Sequence, residues 1–137
     1  MSNPFIDTDV IIRLLTGDDP QKQARAAVLF KQVEEGNLIL EAPDTVIADA
    51  VYVLASKALY ARSRGQVQEL LGPLVRLAGF RVSNKRVVLR ALEVYGTSNR
   101  DFGDAMIIAA MEQRRTEDLY SFDRGFNNFP GVSRKEP

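Results

Sequence analysis

The chain has 137 residues, 45% of them hydrophobic and 26% charged, and its 18 basic and 18 acidic side chains give a net charge of zero. Length and composition fit one globular domain spanning residues 1–137, and a neutral chain has no global field for nucleic acid or an anionic membrane. Histidine and cysteine are absent, which excludes Ser-His-Asp and Cys-His catalysis, disulfides and nearly all zinc sites.

Apolar periodicity and turn residues predict strands that alternate with helices. Such alternation favours an α/β fold, with a parallel sheet covered by helices on both faces. Gly72-Pro73 predicts that one of the helices is kinked or split. In chain order, the predicted elements are a strand at Pro4–Thr8, an apolar segment at Val10–Leu15, a helix that begins near Pro20 and ends at Gly36-Asn37, a strand at Leu38–Glu41, a helix from Thr45 to about Tyr60, a helix with apolar positions Val67 to Leu74, a strand at Phe80–Ser83, helices around Val88–Tyr95 and Asp101–Arg114, and a strand at Leu119–Phe122.

Asp49 is the single charged residue of TVIADAVYVLA, the stretch from Thr45 to Ala55. An ionised carboxylate that is buried without a partner is strongly unfavourable, so the pattern requires something that compensates the charge. A metal ion would do so. A buried arginine, or contact with solvent near the start of the helix, would do so as well.

Acidic side chains follow the first and the last predicted strands and open one helix. The carboxyl ends of parallel strands gather at one edge of a sheet, so we expect these acids to converge. Carboxylates so placed repel each other unless a cation neutralises them, and Mg²⁺ and Mn²⁺ prefer such oxygen ligands. One or two of these ions would activate water for attack on a phosphodiester. The candidate ligands are Asp7 and Asp9 in FIDTD, Asp49, Asp101 and Asp104 in DFGD, and Asp123 in LYSFD.

The same acids also have structural interpretations. Asp101 and Asp104 fit a helix N-cap followed by an acid at N3, Asp9 fits an N-cap, and Asp123 fits a turn residue. FIDTDV also fits the DxDx[TV] pattern of aspartyl-phosphate phosphatases, in which Asp7 would be the nucleophile and Asp9 the acid-base. The second acid of that class is missing after FGDAM, and the chain is short for it.

Four segments, FIDTDVIIRLL, VIADAVYVLAS, DFGDAMIIAA and YSFDRGFNNFPGV, together resemble the PIN-domain nucleases, specifically the VapC toxins of VapBC toxin-antitoxin pairs. The resemblance implies a three-layer α/β/α sandwich with a parallel sheet of four or five strands. It also implies Mg²⁺- or Mn²⁺-dependent hydrolysis of RNA, homodimerisation and inhibition by a cognate antitoxin. By position, it places the metal-binding acids at Asp7, Asp49, Asp104 and Asp123, a less constant acid at Asp101, and the small hydroxyl before the last acid at Ser121.

Asp49 departs from the family pattern, because this position is usually glutamate, whereas Asp9 stands where Asn, Ser or Asp occurs. An aspartate is one methylene shorter, so it would reach a metal through water or leave the site weak. A weak site makes a PIN-like module that binds RNA or protein without cleavage the main alternative. For RNA contacts, the candidate cations near the acidic motifs are Arg13, Lys57, Arg100 and Arg124.

The start of the chain, MSNPFIDTDV, has no basic segment followed by an apolar one. No run approaches the ~18 apolar residues of a membrane span. We therefore expect a soluble, cytoplasmic protein without a membrane partner.

Overall fold

The computed structural model describes residues 2–137, so Met1, the first residue of the predicted domain, lies outside the described residues. Helices and short strands alternate over this range, as the sequence pattern predicts. The elements are α1 Thr8–Leu15, α2 Pro20–Glu34, β1 Leu40–Ala42, α3 Asp44–Ala55, α4 Arg64–Arg76, β2 Phe80–Val82, α5 Lys85–Thr97, α6 Phe102–Arg114, β3 Asp118–Tyr120, a 3₁₀ helix Arg124–Asn128 and β4 Ser133–Lys135.

The strands pair in parallel, in two separate pairs. β1 lies beside β2, with Leu40 opposite Phe80, and β3 lies beside β4. The segment before α1 adds one bridge in parallel sense, between Phe5 and Glu41. Parallel pairing requires crossover connections, which the helices and the 3₁₀ helix supply. The α/β class predicted from the sequence is therefore confirmed.

A sheet of four or five strands is not shown in residues 2–137, where the ladders hold two strands each. The strand predicted at Pro4–Thr8 is reduced to the bridge at Phe5, because Asp7 already caps α1 and Thr8 is its first residue. The sequence analysis also missed β4. Its sequence, SRK, contains no apolar residue and has no alternation that would indicate a strand.

Three helix predictions need adjustment. Val10–Leu15, described only as an apolar segment, is the greater part of α1. The helix predicted to continue to about Tyr60 ends at Ala55, and a turn follows. Pro73 lies inside α4 without ending it, because only three residues of the helix follow the proline, so the backbone bond it removes is close to the helix end.

The hydrophobic core lies where β1 and β2 meet the helices. Phe80 is fully buried, and its ring meets that of Phe30 edge to face at a centroid distance of 5.6 Å. Leu40 on β1 and Leu54 on α3 are also buried and belong to the same hydrophobic core. Among residues 2–137, none of the helices has both the length and the hydrophobicity that a membrane span requires.

We expect Phe80→Ala to lower the free energy of unfolding by about 3–5 kcal/mol, because it removes a buried ring and leaves a cavity against Phe30. Denaturant unfolding followed by circular dichroism measures the change. Phe122→Ala is the matched control, since that ring is 73% exposed, and its effect should stay within about 0.5 kcal/mol. Equal losses in the two variants would contradict the assignment of the core.

Candidate acidic site

Asp7, Asp9 and Asp49 line one open cavity of about 450 Å³. Asp7 caps α1, because its Oδ1 accepts a hydrogen bond from the backbone N–H of Thr8 at 2.6 Å. The predicted N-cap role of Asp9 is therefore wrong. Asp9 lies in the first turn of α1, where a negative charge interacts favourably with the helix dipole.

Asp49 is exposed on the outer face of α3. The buried residues of this helix are Ile47, Ala50, Val51 and Leu54. These apolar residues therefore lie on the face that reaches the core, and Asp49 lies on a different face. Solvent contact is sufficient to compensate its charge, and burial creates no need for a metal. The apolar sequence around Asp49 was misleading, because a helix separates residues that are adjacent in the chain onto different faces.

Asp104 and Asp123 come from different parts of the chain and converge on Arg100. Nη2 of Arg100 donates to Oδ2 of Asp104 at 2.6 Å and to Oδ2 of Asp123 at 2.5 Å. Nε of the same guanidinium donates to Oδ2 of Asp104 at 3.1 Å. A single cation thus bridges two acids that the sequence analysis predicted to be metal ligands.

The guanidinium of Arg100 lies in a close-fitting cradle, and its side chain is only 12% exposed. Its Cζ atom lies 4.4 Å from the centroid of the Phe126 ring, which is within cation–π distance. A Cβ atom at position 125 would overlap Nη1 of Arg100, so Gly125 leaves the space that the guanidinium fills. Arg100 was predicted to contact RNA from the surface, and the structure instead engages it in internal ion pairs.

Arg100 also lowers the pKa of Asp123. Its hydrogen bond, supported by the backbone N–H of Gly125, holds the pKa of Asp123 below the ordinary value of 3.8. The same bond to Asp123, followed by the bond to Asp104, raises the pKa of Arg100 above its ordinary value. The ion pair between Arg100 and Asp123 therefore stays intact at neutral and mildly acidic pH.

Local capping bonds orient the acids of this pair. Oδ1 of Asp101 accepts from the backbone N–H of Asp104 at 2.8 Å, which confirms the predicted N-cap of α6. Oδ1 of Asp123 accepts from Gly125 N–H at 2.8 Å, which confirms its turn role. Ser121 Oγ accepts from Asp123 N–H at 3.0 Å, so this small hydroxyl fixes the turn that carries Asp123.

Arg64, which the sequence analysis did not single out, anchors the loop that carries Arg100. Its guanidinium donates to the backbone carbonyls of Tyr95 at 3.2 Å, Asn99 at 3.2 Å and Arg100 at 2.5 Å. It also lies 4.5 Å from the centroid of the Tyr95 ring. No local sequence signal reveals this anchor, because its partners lie 31 to 36 residues away. The position of Arg100 is therefore set by tertiary contacts.

The other predicted RNA-binding cations remain on the surface. Arg13 lines the cavity of Asp7 and Asp49 and pairs with Asp18 at 3.2 Å. Lys57 is exposed in the turn after α3, and Arg124 is exposed at the start of the 3₁₀ helix.

The candidate acids form two sets rather than one. Among residues 2–137, no three acidic side chains come close enough to hold one metal ion. Asp104 and Asp123 nevertheless fit a hard cation, because their carboxylate oxygens already share one positively charged group. Asp7 and Asp49 form the other set, at the cavity beside α1.

A sequence profile of the PIN domain family matches residues 5–132. The match covers most of the chain, so the protein belongs to the PIN domain family, whose members are generally nucleases that bind RNA and typically use divalent metal ions. No curated protein matches the chain. The family assignment leaves the phosphatase interpretation of FIDTDV without support.

The hydroxyl of Tyr60, which lines the cavity of Asp7 and Asp49, donates to Oδ2 of Asp18 at 2.7 Å. This bond, ahead of those from Thr16 and Arg13, holds the pKa of Asp18 below 3.8. The ionised carboxylate is thus favoured in the folded state, so its stabilisation is present above about pH 4 and is lost as the pH falls through the folded pKa.

We expect Tyr60→Phe to lower the urea midpoint at pH 7, because it removes that bond. The difference from the unmodified protein should shrink as the pH falls through the lowered folded pKa of Asp18, below which the carboxyl is protonated in both states. Denaturation at a series of pH values measures this. Tyr120→Phe serves as the control at an exposed tyrosine, and a difference for Tyr60→Phe that does not depend on pH would refute the linkage to Asp18.

Proposed function

We propose that this PIN domain, residues 1–137, is a metal-dependent endoribonuclease and the VapC-type toxin of a type II toxin-antitoxin pair. The observation that carries the proposal is the convergence of Asp104 and Asp123 on one cation, at the start of α6 and just after β3. In a family of nucleases, two acids brought together from distant parts of the chain are suited to a metal site. The proposal places the protein in the cytoplasm, where its RNA substrate is found.

Asp104 and Asp123 would hold Mg²⁺ or Mn²⁺, and Asp7, the third acid that the family resemblance implies, lies in the separate set at the cavity beside α1. Such an ion supplies water activation and stabilises the charge that develops on a phosphoryl group. Asp101 and Ser121 fix the two acids through the capping bonds of α6 and the turn after β3. Because the chain has no histidine, no imidazole can act as a general base, and carboxylates would position the attacking water.

Asp49 would act from the other side of the site, where it shares a cavity with Asp7. Its exposure leaves the carboxylate free to position the attacking water. The position is usually glutamate in VapC-type sequences, so the shorter side chain brings its carboxylate less far out from α3. Asp9, beside Asp7 on α1, would play a secondary role in the same cavity.

Surface groups beside the acids support RNA as the substrate. Arg13, Lys57 and Arg124 would contact phosphates, which position a nucleic acid without reading its sequence. Phe122, next to Asp123, is 73% exposed, and Tyr52 on α3 is 77% exposed. Exposed aromatic rings stack unpaired bases, so single-stranded RNA is the form of substrate that fits. A cognate antitoxin and a second copy of the chain complete the proposal as protein partners.

A non-cleaving RNA-binding module is the second candidate, because one specific feature favours it. Arg100 already forms ion pairs with both Asp104 and Asp123, and three acids do not gather in residues 2–137. A domain of this kind would bind RNA through its surface cations and aromatic rings without metal. Cleavage assays separate the two candidates.

We expect Asp104→Asn and Asp123→Asn each to reduce Mn²⁺-dependent cleavage of a mixed RNA pool at least about 100-fold, because each removes a charged ligand. Gel analysis of the RNA products measures the rates. Asp118→Asn is the matched control, since Asp118 is an exposed aspartate of β3 that pairs only with Lys135 among the described residues. Full cleavage by either site variant would contradict the nuclease proposal, and so would cleavage that is absent from the unmodified protein.

Asp49→Asn should lower the same cleavage about tenfold or more, because the carboxylate that positions the attacking water is lost. Asp49→Glu should retain or increase cleavage, since it restores the longer acid usual at this position. Because Asp49 is exposed, neither change should alter the melting temperature. Asp49→Asn with unchanged cleavage would remove this residue from the mechanism.

A further inference from the structure

Arg100 occupies the place between Asp104 and Asp123 that a metal ion would need. Both Oδ2 atoms accept from Nη2, at 2.6 and 2.5 Å, and Nε adds a bond of 3.1 Å to Asp104. Hard metal ions bind through carboxylate oxygens, so the guanidinium and the metal compete for the same ligands.

We propose that Arg100 is a positioning residue that acts as the internal counter-ion of Asp104 and Asp123, and that a divalent ion binds this pair only by displacing its guanidinium. The inference rests on the proposed function, since it concerns the metal site of that nuclease. The metal affinity of this chain is then set by the exchange of one cation for another.

Electrostatics favour exchange over joint binding. The two carboxylates carry two negative charges, of which Arg100 neutralises one. A dication placed between the same oxygens would lie next to the guanidinium, and like charges at this separation repel strongly in a partly buried site. The metal can therefore bind these carboxylate oxygens only after the charge-assisted hydrogen bonds from Arg100 are broken.

The cradle of Arg100 makes this displacement costly. The guanidinium lies 4.4 Å from the centroid of the Phe126 ring and fills the space above Gly125. Arg64 anchors the backbone carbonyl of Arg100 at 2.5 Å, so the loop is tied down while the side chain alone can move. Arg100 thus holds both acids in place before metal binds, and it weakens the binding itself.

Isothermal titration of Mn²⁺ into the unmodified protein, Arg100→Met and Gly125→Ala tests the inference. Arg100→Met removes the competing charge, while Gly125→Ala keeps the charge and excludes the guanidinium from its cradle by steric overlap. Both variants should bind Mn²⁺ at least about tenfold more tightly, because the metal no longer displaces charge-assisted bonds.

Arg90→Met is the matched control. Arg90 also bridges two carboxylates, Glu93 at 3.2 Å and Glu112 at 2.7 Å, on the surface of α5 and α6. Its loss should leave the Kd for Mn²⁺ unchanged. The double variant Arg100→Met with Gly125→Ala checks the steric argument, because the added Cβ also lies 3.0 Å from Oδ1 of Asp123. Adding Gly125→Ala should change nothing once Arg100 is gone.

Thermal melting supplies a second readout. Arg100→Met should lower the Tm in EDTA, because the two acids are left without a counter-ion, and Mn²⁺ should restore it. A side chain with a purely structural role would give a Tm loss that Mn²⁺ does not reverse. If Arg100→Met fails to fold, Gly125→Ala and Arg100→Lys carry the test, and the lysine variant should bind Mn²⁺ with intermediate affinity.

An Mn²⁺ affinity that is the same in Arg100→Met, Gly125→Ala and the unmodified protein, and that is lost in Asp104→Asn, would overturn the inference and leave the proposed nuclease intact. No Mn²⁺ binding by any variant at millimolar concentration would overturn the inference together with the metal site of that nuclease. RNA cleavage by the unmodified protein that persists in Asp104→Asn would count against the proposed function alone.

Discussion

The fold brings the carboxylates of Asp104 and Asp123 close together, and the ion pairs that both form with Arg100 offset their mutual repulsion. The three residues join the loop before α6, the helix itself and the turn after β3. Without the guanidinium, the start of α6 and the end of β3 would repel each other. Arg64 holds the same loop in place, because its guanidinium donates to the backbone carbonyl of Arg100 and lies over the ring of Tyr95. The acidic site and the contacts that support it thus form one connected network of ion pairs and hydrogen bonds.

Helix capping and chemistry use the same acids in this protein. Asp7 caps α1, Asp101 caps α6, and Asp123 caps the 3₁₀ helix. A cap residue must lie where a helix begins, and in a parallel α/β arrangement that is where a strand has just ended. An acid can therefore serve both as a helix cap and as a site residue, because a capping carboxylate already lies at the edge of the sheet where a site forms.

Local signals predicted part of this site. The N-cap at Asp101, the turn at Asp123 and the helices α2 and α6 follow from spacing within a few residues, and the structure confirms them. Of the alternatives left open for Asp49, contact with solvent is confirmed, and the apolar neighbours in the sequence did not show which helix face reaches the core. β4 gave no signal, since its pairing with β3 decides its conformation.

By itself, the sequence determined the α/β class and the PIN family and supplied the candidate acids, because these depend on residue type and local spacing. Only the tertiary structure decided that Arg100 lies between Asp104 and Asp123. Arg100 and Asp104 are one helical turn apart and could be read as a pair. Asp123, Phe126 and the space above Gly125 meet this pair only when the turn and the 3₁₀ helix after β3 fold against Arg100, so tertiary contacts decide which cation lies between the acids.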